Sequence, residues 1–390
     1  MKIKGNRMFS CQGLQDKERR NLAVFELIRK KGIVSRTDIS KLTGINIVSV
    51  SNYINSYIEE KLVSEKGLAV SSGGRKAELV ELNTKDNFVV GVDASGGYIR
   101  VLVTDIGMKV LAKSESAKPE SKNELASSVN KSVEAVVKSS GIAMDSIRCI
   151  GMGVSDNSMA SLAAAVEKNF SKDVFVGGAA TCAAFAEKRL NPAADVDRML
   201  YMHSDLGRGI VIDGDTALGC TGPGGELDIS VGKSPAKVAA QVYDEKTGYL
   251  RPWNGYMGVT EIALREVSNG IGTKIVAVAK GDTANITEEA VIEAAVQGDD
   301  LALNIVESVA LNMGLRIAYI VNMFSPQLVV VGGGPEKAGD MFFGPVRKMV
   351  GKLAFRKSAQ SLKIIPGVLG EDAVSLGAAA LATRELFLKA

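Results

Sequence analysis

The chain has 390 residues, of which 46% are apolar and 23% charged, so we expect two or three packed domains. No apolar run approaches the ~20 residues that span a bilayer, and residues 1–20 lack the apolar core of a signal peptide, which predicts a cytoplasmic protein. The four cysteines form no C-x-x-C pair, which argues against a disulfide framework and a zinc site, and no metal or other cofactor is expected.

Charge is distributed unevenly along the chain. The net charge is +3, but residues 1–80 hold 15 Lys and Arg against 8 Asp and Glu, a balance of +7 that leaves −4 for the rest. A basic segment ahead of an acidic body favours nucleic-acid binding by the first part, although a solvated basic surface would have the same balance.

Two helical segments open the basic region. The first, DKERRNLAVFELIRKKG, carries an apolar stripe and ends at Gly32, a predicted C-cap. The second, SRTDISKLTG, begins at Ser35 as the N-cap and ends at Gly44, where a sharp turn between two helices needs a positive φ.

A third helix and a hairpin follow. In INIVSVSNYINSYIEEKLV the apolar residues recur at helical spacing and are expected to face a core, namely Ile47, Val50, Ile54 and Ile58. The stretch VSEKGLAVSSGGRKAELVELN predicts a two-stranded wing with a basic, glycine-rich tip. Together the segments predict a winged helix-turn-helix, against the alternative of a helical bundle with a solvated hairpin.

The predicted DNA contacts come from the second and third helices and from the wing tip. Short polar side chains on an outer helix face can reach base edges and phosphates, and a basic tip can enter a minor groove or clasp a phosphate. The residues expected to contact double-stranded operator DNA are Ser35, Arg36, Thr37, Asn46, Ser49, Ser51, Asn52, Gly73, Gly74, Arg75 and Lys76.

The chain changes character after a predicted linker at residues 84–86. FVVGVDASGGYIRVLVTDIG predicts a strand, a glycine turn and a strand, RMLYMHSDLGRGIVIDGD repeats that shape, and a third apolar strand, QLVVVGGGP, ends in glycines. Glycine turns of this kind hold nucleotide phosphates through backbone N–H groups. Their order predicts a duplicated α/β body of the actin-like, ribonuclease H-like ATPase type.

Four stretches in this order, SSGGRKAELVELN, GVDASGG, GIVIDGDTALGCTGPGGEL and IVNMFSPQLVVVGGG, resemble the ROK family, which groups bacterial sugar-responsive transcriptional repressors with sugar kinases. The likeness runs over nearly the whole chain, and in that family the forms with an N-terminal winged domain are repressors. The resemblance implies three domains: a winged helix-turn-helix at 1–83, and two α/β halves of the body at 84–200 and 201–390.

The resemblance also implies that the sugar-kinase chemistry is lost. Family kinases carry Glu-Asn-Asp, with the aspartate as catalytic base, where this chain has Gly177, Gly178 and Ala179. Asp205 places a carboxylate in the second phosphate loop, and Ile229 replaces the zinc- and sugar-binding histidine. We therefore expect no catalytic residue and no metal ligand in the body.

Acidic and polar residues are nevertheless retained in the former phosphate and sugar loops. They are candidates for binding a small-molecule effector, a sugar or a derivative, and the alternative is that they are ordinary residues lining a cleft. These residues are Asp93, Ser204, Asp205 and Glu226.

The predicted function is a DNA-binding transcriptional regulator, a repressor, whose inactive kinase-like body binds an effector or only dimerises. A homodimer or higher homo-oligomer would place two recognition helices about one turn of DNA, roughly 34 Å, apart. The alternatives are an ATP-dependent sugar kinase with an accessory DNA-binding domain, and a body whose main partner is another protein.

Overall fold

The fold is that of a computed structural model of the chain. The described residues are 14–68, 78–119, 121–154, 159–203, 207–212, 215–216, 229–230, 243–244, 249–250 and 258–390. They form two compact units, the first from the described parts of Met1–Ala186 and Asp372–Ala390, and the second from those of Glu187–Ala217 and Gly225–Glu371. The division into three domains at residues 83 and 200 stays a prediction.

The first unit begins with three helices and a small antiparallel sheet, in the region predicted to be a winged helix-turn-helix. Its elements are α1 (Asp16–Lys31), β1 (Val34–Ser35), α2 (Arg36–Thr43), α3 (Ile47–Glu59), β2 (Val63–Leu68) and β3 (Glu78–Leu82). The strands form an antiparallel sheet in the order β1-β3-β2. The predicted helix limits are confirmed, since Gly32 follows α1, Ser35 caps α2 by accepting the Asp38 N–H at 3.1 Å, and Gly44 has a φ of 70°.

The buried face of α3 differs in part from the predicted one. Val50, Ile54 and Tyr57 are fully buried and define the centre of that face. The expectation for Ile47 was wrong: it is 43% exposed, because it lies in the first turn at the edge of this face. Ile58 is half-buried for the same reason at the other end.

A five-stranded sheet and its helices follow in the first unit. The strands and helices of this segment are β4 (Phe88–Asp93), β5 (Tyr98–Asp105), β6 (Val110–Ala117), α4 (Lys122–Ser140), β7 (Ile147–Val154), α5 (Met159–Phe170), β8 (Asp173–Gly178) and α6 (Ala179–Leu190). The order is β6-β5-β4-β7-β8, antiparallel from β6 to β4 and parallel from β4 to β8. Apolar side chains of α4 and α5 cover the sheet and bury its core.

The second unit repeats this topology. Its strands and helices, followed by the last helix of the chain, are β9 (Met199–His203), β10 (Gly207–Ile212), β11 (Asp215–Thr216), β12 (Ile229–Ser230), β13 (Tyr243–Asp244), β14 (Tyr249–Leu250), α7 (Val259–Ser268), α8 (Lys274–Val278), α9 (Glu288–Val296), α10 (Asp300–Phe324), β15 (Leu328–Gly332), α11 (Asp340–Leu353), α12 (Arg356–Ser361), β16 (Lys363–Pro366) and α13 (Ala373–Lys389). The main sheet has the order β11-β10-β9-β15-β16, again antiparallel over three strands and then parallel. A small sheet has the order β12-β14-β13. The predicted duplication of an actin-like α/β body is therefore confirmed.

α10 is longer and more apolar than the sequence analysis allowed for. Its 25 residues are apolar enough that length and composition alone would let it cross a membrane. Val309 and Met313 are buried in the core of the second unit together with Phe342 and Val346 of α11. α10 is thus the central helix of that core.

α13 ends the chain but belongs to the first unit. It lies directly on the backbone of β4 and β7. A Cβ atom added to Gly91 would come within 2.0 Å of the Ser375 carbonyl oxygen, and one added to Gly151 within 2.0 Å of the Ala378 carbonyl oxygen. The approach of helix and sheet therefore requires glycine at both strand positions.

Candidate nucleic-acid interface and kinase-like loops

The outer face of α3 carries the predicted DNA contacts of the third helix. Asn46 is the N-cap, and its side-chain oxygen accepts the Ser49 N–H at 2.9 Å, which fixes the first turn. Asn46 and Asn52 are exposed, whereas Ser49 and Ser51 are half-buried. Val48, which the sequence analysis did not select, is 67% exposed on the same face as Asn52.

The three predicted contacts around α2 have different surroundings. Ser35 is buried, and its hydroxyl donates to the Asp38 carboxylate at 2.7 Å, so it caps the helix and is not presented to a ligand. Thr37 is exposed beside it. Arg36 is half-buried, and one guanidinium nitrogen donates to the Asn55 side-chain oxygen at 2.7 Å.

The strands predicted to form the wing, β2 and β3, are paired and antiparallel. The Arg36 guanidinium also forms ion pairs with Glu65 of β2 at 3.6 Å and with Glu78 of β3 at 3.7 Å. These ion pairs connect α2 to both strands. The tip residues Gly73, Gly74, Arg75 and Lys76 lie outside the described residues, and their contact with DNA stays a prediction.

The far end of α13 supports α1 and α3. The ring of Phe387 stacks on Phe25 with centroids 3.9 Å apart and meets the edge of Tyr57 at 4.8 Å. All three rings are fully buried. Asn21 donates from its side-chain amide to the Phe387 carbonyl oxygen at 2.8 Å, and Tyr57 donates to the Asn21 carbonyl oxygen at 2.8 Å. The helix that presents the candidate interface is therefore anchored to the last helix of the chain.

Asp93 lies in the first glycine turn, at the end of β4. It is 3% exposed, and one carboxylate oxygen accepts both the Ser95 N–H at 2.9 Å and the Ser95 hydroxyl at 2.5 Å. Burial raises the pKa of Asp93, an effect that the Ser95 hydrogen bonds and the charges of Arg100 and Lys118 oppose. The Asp93 carboxylate therefore stabilises the turn in which it lies.

The position of the missing base is filled with packed atoms. Ala179 is the first residue of α6 and is 1% exposed. A Cβ added to neighbouring Gly153 would lie 2.4 Å from a methyl carbon of Val374, 3.6 Å from the Cys182 sulfur and 3.7 Å from the Cα of Ala179. The end of β8 therefore leads into a closely packed helix start, as predicted from its small residues, with no carboxylate at Gly177, Gly178 or Ala179.

Two carboxylates lie close to the third glycine turn, which follows β15. The Gly334 N–H donates to a Glu336 carboxylate oxygen at 2.7 Å, and a Cβ added to Gly334 would come within 1.9 Å of a Glu288 carboxylate oxygen. Burial raises the pKa of Glu336, and the nearby charge of Glu187 raises it further. In turns of this kind backbone N–H groups hold nucleotide phosphates. Here the Gly334 N–H donates to the Glu336 side chain instead.

Several predicted residues of the body lie outside the described part of the chain. These are Ser204, Asp205 and Glu226, so their role as effector contacts stays a prediction. His203 lies at the end of β9, 6.4 Å from the ring of Tyr201. Among the described residues, no group of three or more His, Cys, Asp or Glu side chains could hold a metal ion.

Three residues of these sites were not predicted from the sequence. Glu336 follows the third glycine turn by two residues, so an acid directly after GGGP could have indicated that the turn is occupied. Glu288 lies 46 positions before the glycine that it approaches, and no local pattern identifies it. Val48 was missed because only short polar side chains were considered for the outer face of α3.

Comparisons with known proteins agree with the sequence resemblance. Residues 265–385 match the ROK family. The xylose repressor of Caldicellulosiruptor bescii is 27% identical over 391 aligned residues, covering 95% of this chain and 96% of that protein.

Two solved structures show the same fold. A ROK family transcriptional regulator, described as a homologue of the E. coli MLC protein, matches with a TM-score of 0.71 and 21% identity over 95% of this chain and 97% of its own. A ROK family glucokinase from Streptomyces griseus, in complex with glucose and AMPPNP, matches with a TM-score of 0.61 and 21% identity, covering 76% of this chain and 99% of its own. Residues 265–385 therefore match the ROK family, and over 95% of its length the chain has the fold of that transcriptional regulator.

Proposed function

We propose that this ROK-type repressor binds double-stranded operator DNA through the outer face of α3 and the tip of its wing, and that its kinase-like body transfers no phosphoryl group. The observation that carries the proposal is the outer face of α3. Asn52 is exposed there, on the opposite side of the helix from the buried Val50, Ile54 and Tyr57. In helix-turn-helix proteins this face enters the major groove.

Charge supports the DNA-binding part of the proposal. Residues 1–80 have 15 basic against 8 acidic side chains, and Arg75 and Lys76 add two of those positive charges at the wing tip. Positive charge attracts phosphates whatever their sequence, and the amide of Asn52 can read an adenine by donating to one atom and accepting from another. Charge therefore provides affinity, while α3 provides specificity.

The inactive body is supported by what occupies its loops. Phosphoryl transfer needs a base within reach of the substrate hydroxyl and donors free to hold the phosphates. Ala179 provides no base, and Glu336 already accepts the Gly334 N–H. The body instead supports the DNA-binding module through α13.

Two copies act together in the proposed function, and a small effector controls them. A dimer doubles the contacts to an operator with two half-sites. The name of the xylose repressor suggests a sugar or a derivative as the effector, with Ser204, Asp205 and Glu226 as its contacts. Asp93, the fourth candidate, accepts the Ser95 N–H within the first glycine turn. Such a regulator acts in the cytoplasm, where the DNA is.

Capture of genomic fragments tests the DNA-binding proposal. Full-length protein, immobilised through a tag, should enrich fragments that share a paired motif with half-sites roughly 34 Å apart. Asn52→Ala should lose most of the enrichment, whereas Asn312→Ala, on an exposed face of α10, should keep it. Enrichment no greater than that of bulk DNA would reject the proposal.

Point variants of the whole chain are a better test than a truncation that removes residues 1–83. Removing residues 1–83 would uncover the ring of Phe387, which is buried against Phe25 and Tyr57. Loss of binding after such a truncation could then reflect damage to the remaining protein.

A further inference from the structure

Three exposed apolar side chains lie within seven residues of the sequence, where α2 ends and α3 begins. Leu42 is 61% exposed near the end of α2, and Ile47 and Val48 are 43% and 67% exposed in the first turn of α3. Large apolar groups presented together to water mark a contact surface more often than isolated ones do. Val48 is the most exposed of the three.

Val48 is held in a defined position. Its neighbour Asn46 caps the helix through the Ser49 N–H, and Val50 is fully buried two residues later. A valine side chain has a single χ angle that a helix restricts strongly, so little conformational entropy is lost when it makes a contact. The methyl groups of Val48 are therefore presented rigidly from the first turn.

The position of Val48 indicates what it contacts. The N-terminal residues of the second helix in a helix-turn-helix contact base edges in the major groove. The apolar group exposed there by the standard bases is the C5 methyl of thymine. Asn52 follows four residues later on the same face and offers the donor and acceptor that adenine requires.

We propose that Val48 reads a thymine in each operator half-site by packing on its C5 methyl group, within one helical turn of the base that Asn52 contacts. This proposal rests on the proposed function, because it requires that α3 enters the major groove. It assigns to Val48 a role in specificity that is separate from the phosphate contacts of the wing.

Deoxyuridine substitution tests the contact, because deoxyuridine differs from thymidine only by the missing methyl group. A duplex is first selected from a random-sequence library with full-length wild-type protein. Each thymine of the duplex is then replaced in turn, and the dissociation constants are measured. At one thymine per half-site the wild type should bind about three- to fivefold more weakly, the effect expected for one buried methyl group.

The variants decide whether Val48 is responsible. Val48→Ala should bind the thymine and deoxyuridine duplexes with the same affinity. Val296→Ala, which changes a valine that is 70% exposed in the second unit, should keep the full difference. Thermal unfolding of both variants should match that of the wild type, since neither side chain is buried.

The outcomes separate this inference from the proposed function. Selection of a duplex without sensitivity to any thymine methyl, or the same sensitivity in Val48→Ala, overturns the thymine contact and leaves the proposed function standing. A shift in subunit number in Val48→Ala alone also overturns it, because the side chain would then contact a second copy. Failure to select any duplex rejects the proposed function and this inference together.

Discussion

At the residue scale, two acidic side chains of the body accept hydrogen bonds from nearby groups of the protein itself. The Asp93 carboxylate accepts two hydrogen bonds from Ser95 in the first glycine turn, and the Glu336 carboxylate accepts the Gly334 N–H in the third. Burial raises the pKa of both groups. Both carboxylates thus bond to backbone N–H groups of their own turns, and the Gly334 N–H in particular is not free to hold a phosphate.

Asp93→Asn tests the buried state of the first turn. The ordinary pKa of the group is 3.8, and burial raises it in the folded protein. The contribution of Asp93 to stability is therefore complete below that value and is lost as pH rises through the folded-state pKa. The variant cannot titrate, so its free energy of unfolding relative to wild type should be higher at about pH 7 than at about pH 4.

Urea denaturation at the two pH values measures this difference. Asparagine keeps the oxygen that accepts from Ser95, so the comparison isolates the charge. An unchanged difference between variant and wild type at the two pH values would show that Asp93 titrates in the folded protein as it does in the unfolded chain.

Ala179→Asp tests whether the missing base alone explains an inactive body. A base adds about 10²- to 10⁴-fold in rate but positions neither sugar nor nucleotide. Both wild type and variant should therefore show only background ADP release with ATP and glucose, N-acetylglucosamine, mannose, fructose, allose or xylose. Ala193→Asp, at an exposed position, is the control for the added charge.

The coupled ADP-release assay distinguishes two ways in which this expectation can fail. Sugar-dependent turnover by the wild type would mean that the body is an active kinase. Turnover by Ala179→Asp alone would mean that the sugar and nucleotide contacts survive and that only the base was lost.

At the element scale, α13 joins the sheet of the first unit to the DNA-binding helices. Its middle lies on Gly91 and Gly151 of the sheet, and its end places Phe387 between Phe25 and Tyr57. A movement of this helix would therefore move the support of α3. This is a physical connection between the body and the candidate interface, within one compact unit.

Phe387→Ala should destabilise the protein by about 3–5 kcal/mol, because it leaves a cavity between two buried rings. Phe355→Ala is the matched control, since that ring is 66% exposed, and its effect should be within about 0.5 kcal/mol. Chemical denaturation followed by circular dichroism measures both. Equal effects of the two substitutions would show that the Phe387 ring is not an anchor.

Elements with local signals could be predicted from the sequence. The ends of α1 and α2 follow from Gly32, Ser35 and Gly44, because caps depend on a few neighbouring residues. The contact of α13 with α1 could not, since Phe387 and Phe25 are far apart in the chain and no periodicity relates them. The carboxylate of Glu288 beside Gly334 was missed for the same reason.

At the scale of the whole molecule, the two sheets have the same strand order and the same directions. This duplication could be predicted because each half begins with a strand, a glycine turn and a strand. The same topology serves kinases and repressors in the ROK family, so the fold alone does not decide the function. The basic N-terminal module and the occupied glycine turns together favour a regulator.

The central claim, that the chain acts by binding DNA through α3 and the wing, is tested most directly by the salt dependence of binding. The measurement is the dissociation constant of full-length protein for its selected duplex between about 50 and 200 mM salt, with wild type and Arg75→Ala compared. Each phosphate contact contributes about 0.9 to the logarithmic slope, so binding by the wild type should weaken by at least about tenfold over this range. Arg75→Ala should reduce the slope by about one contact if that side chain touches phosphate, or weaken binding by about 1–3 kcal/mol if it reads a groove. Binding that does not respond to salt, or that prefers no duplex over bulk DNA, contradicts the claim.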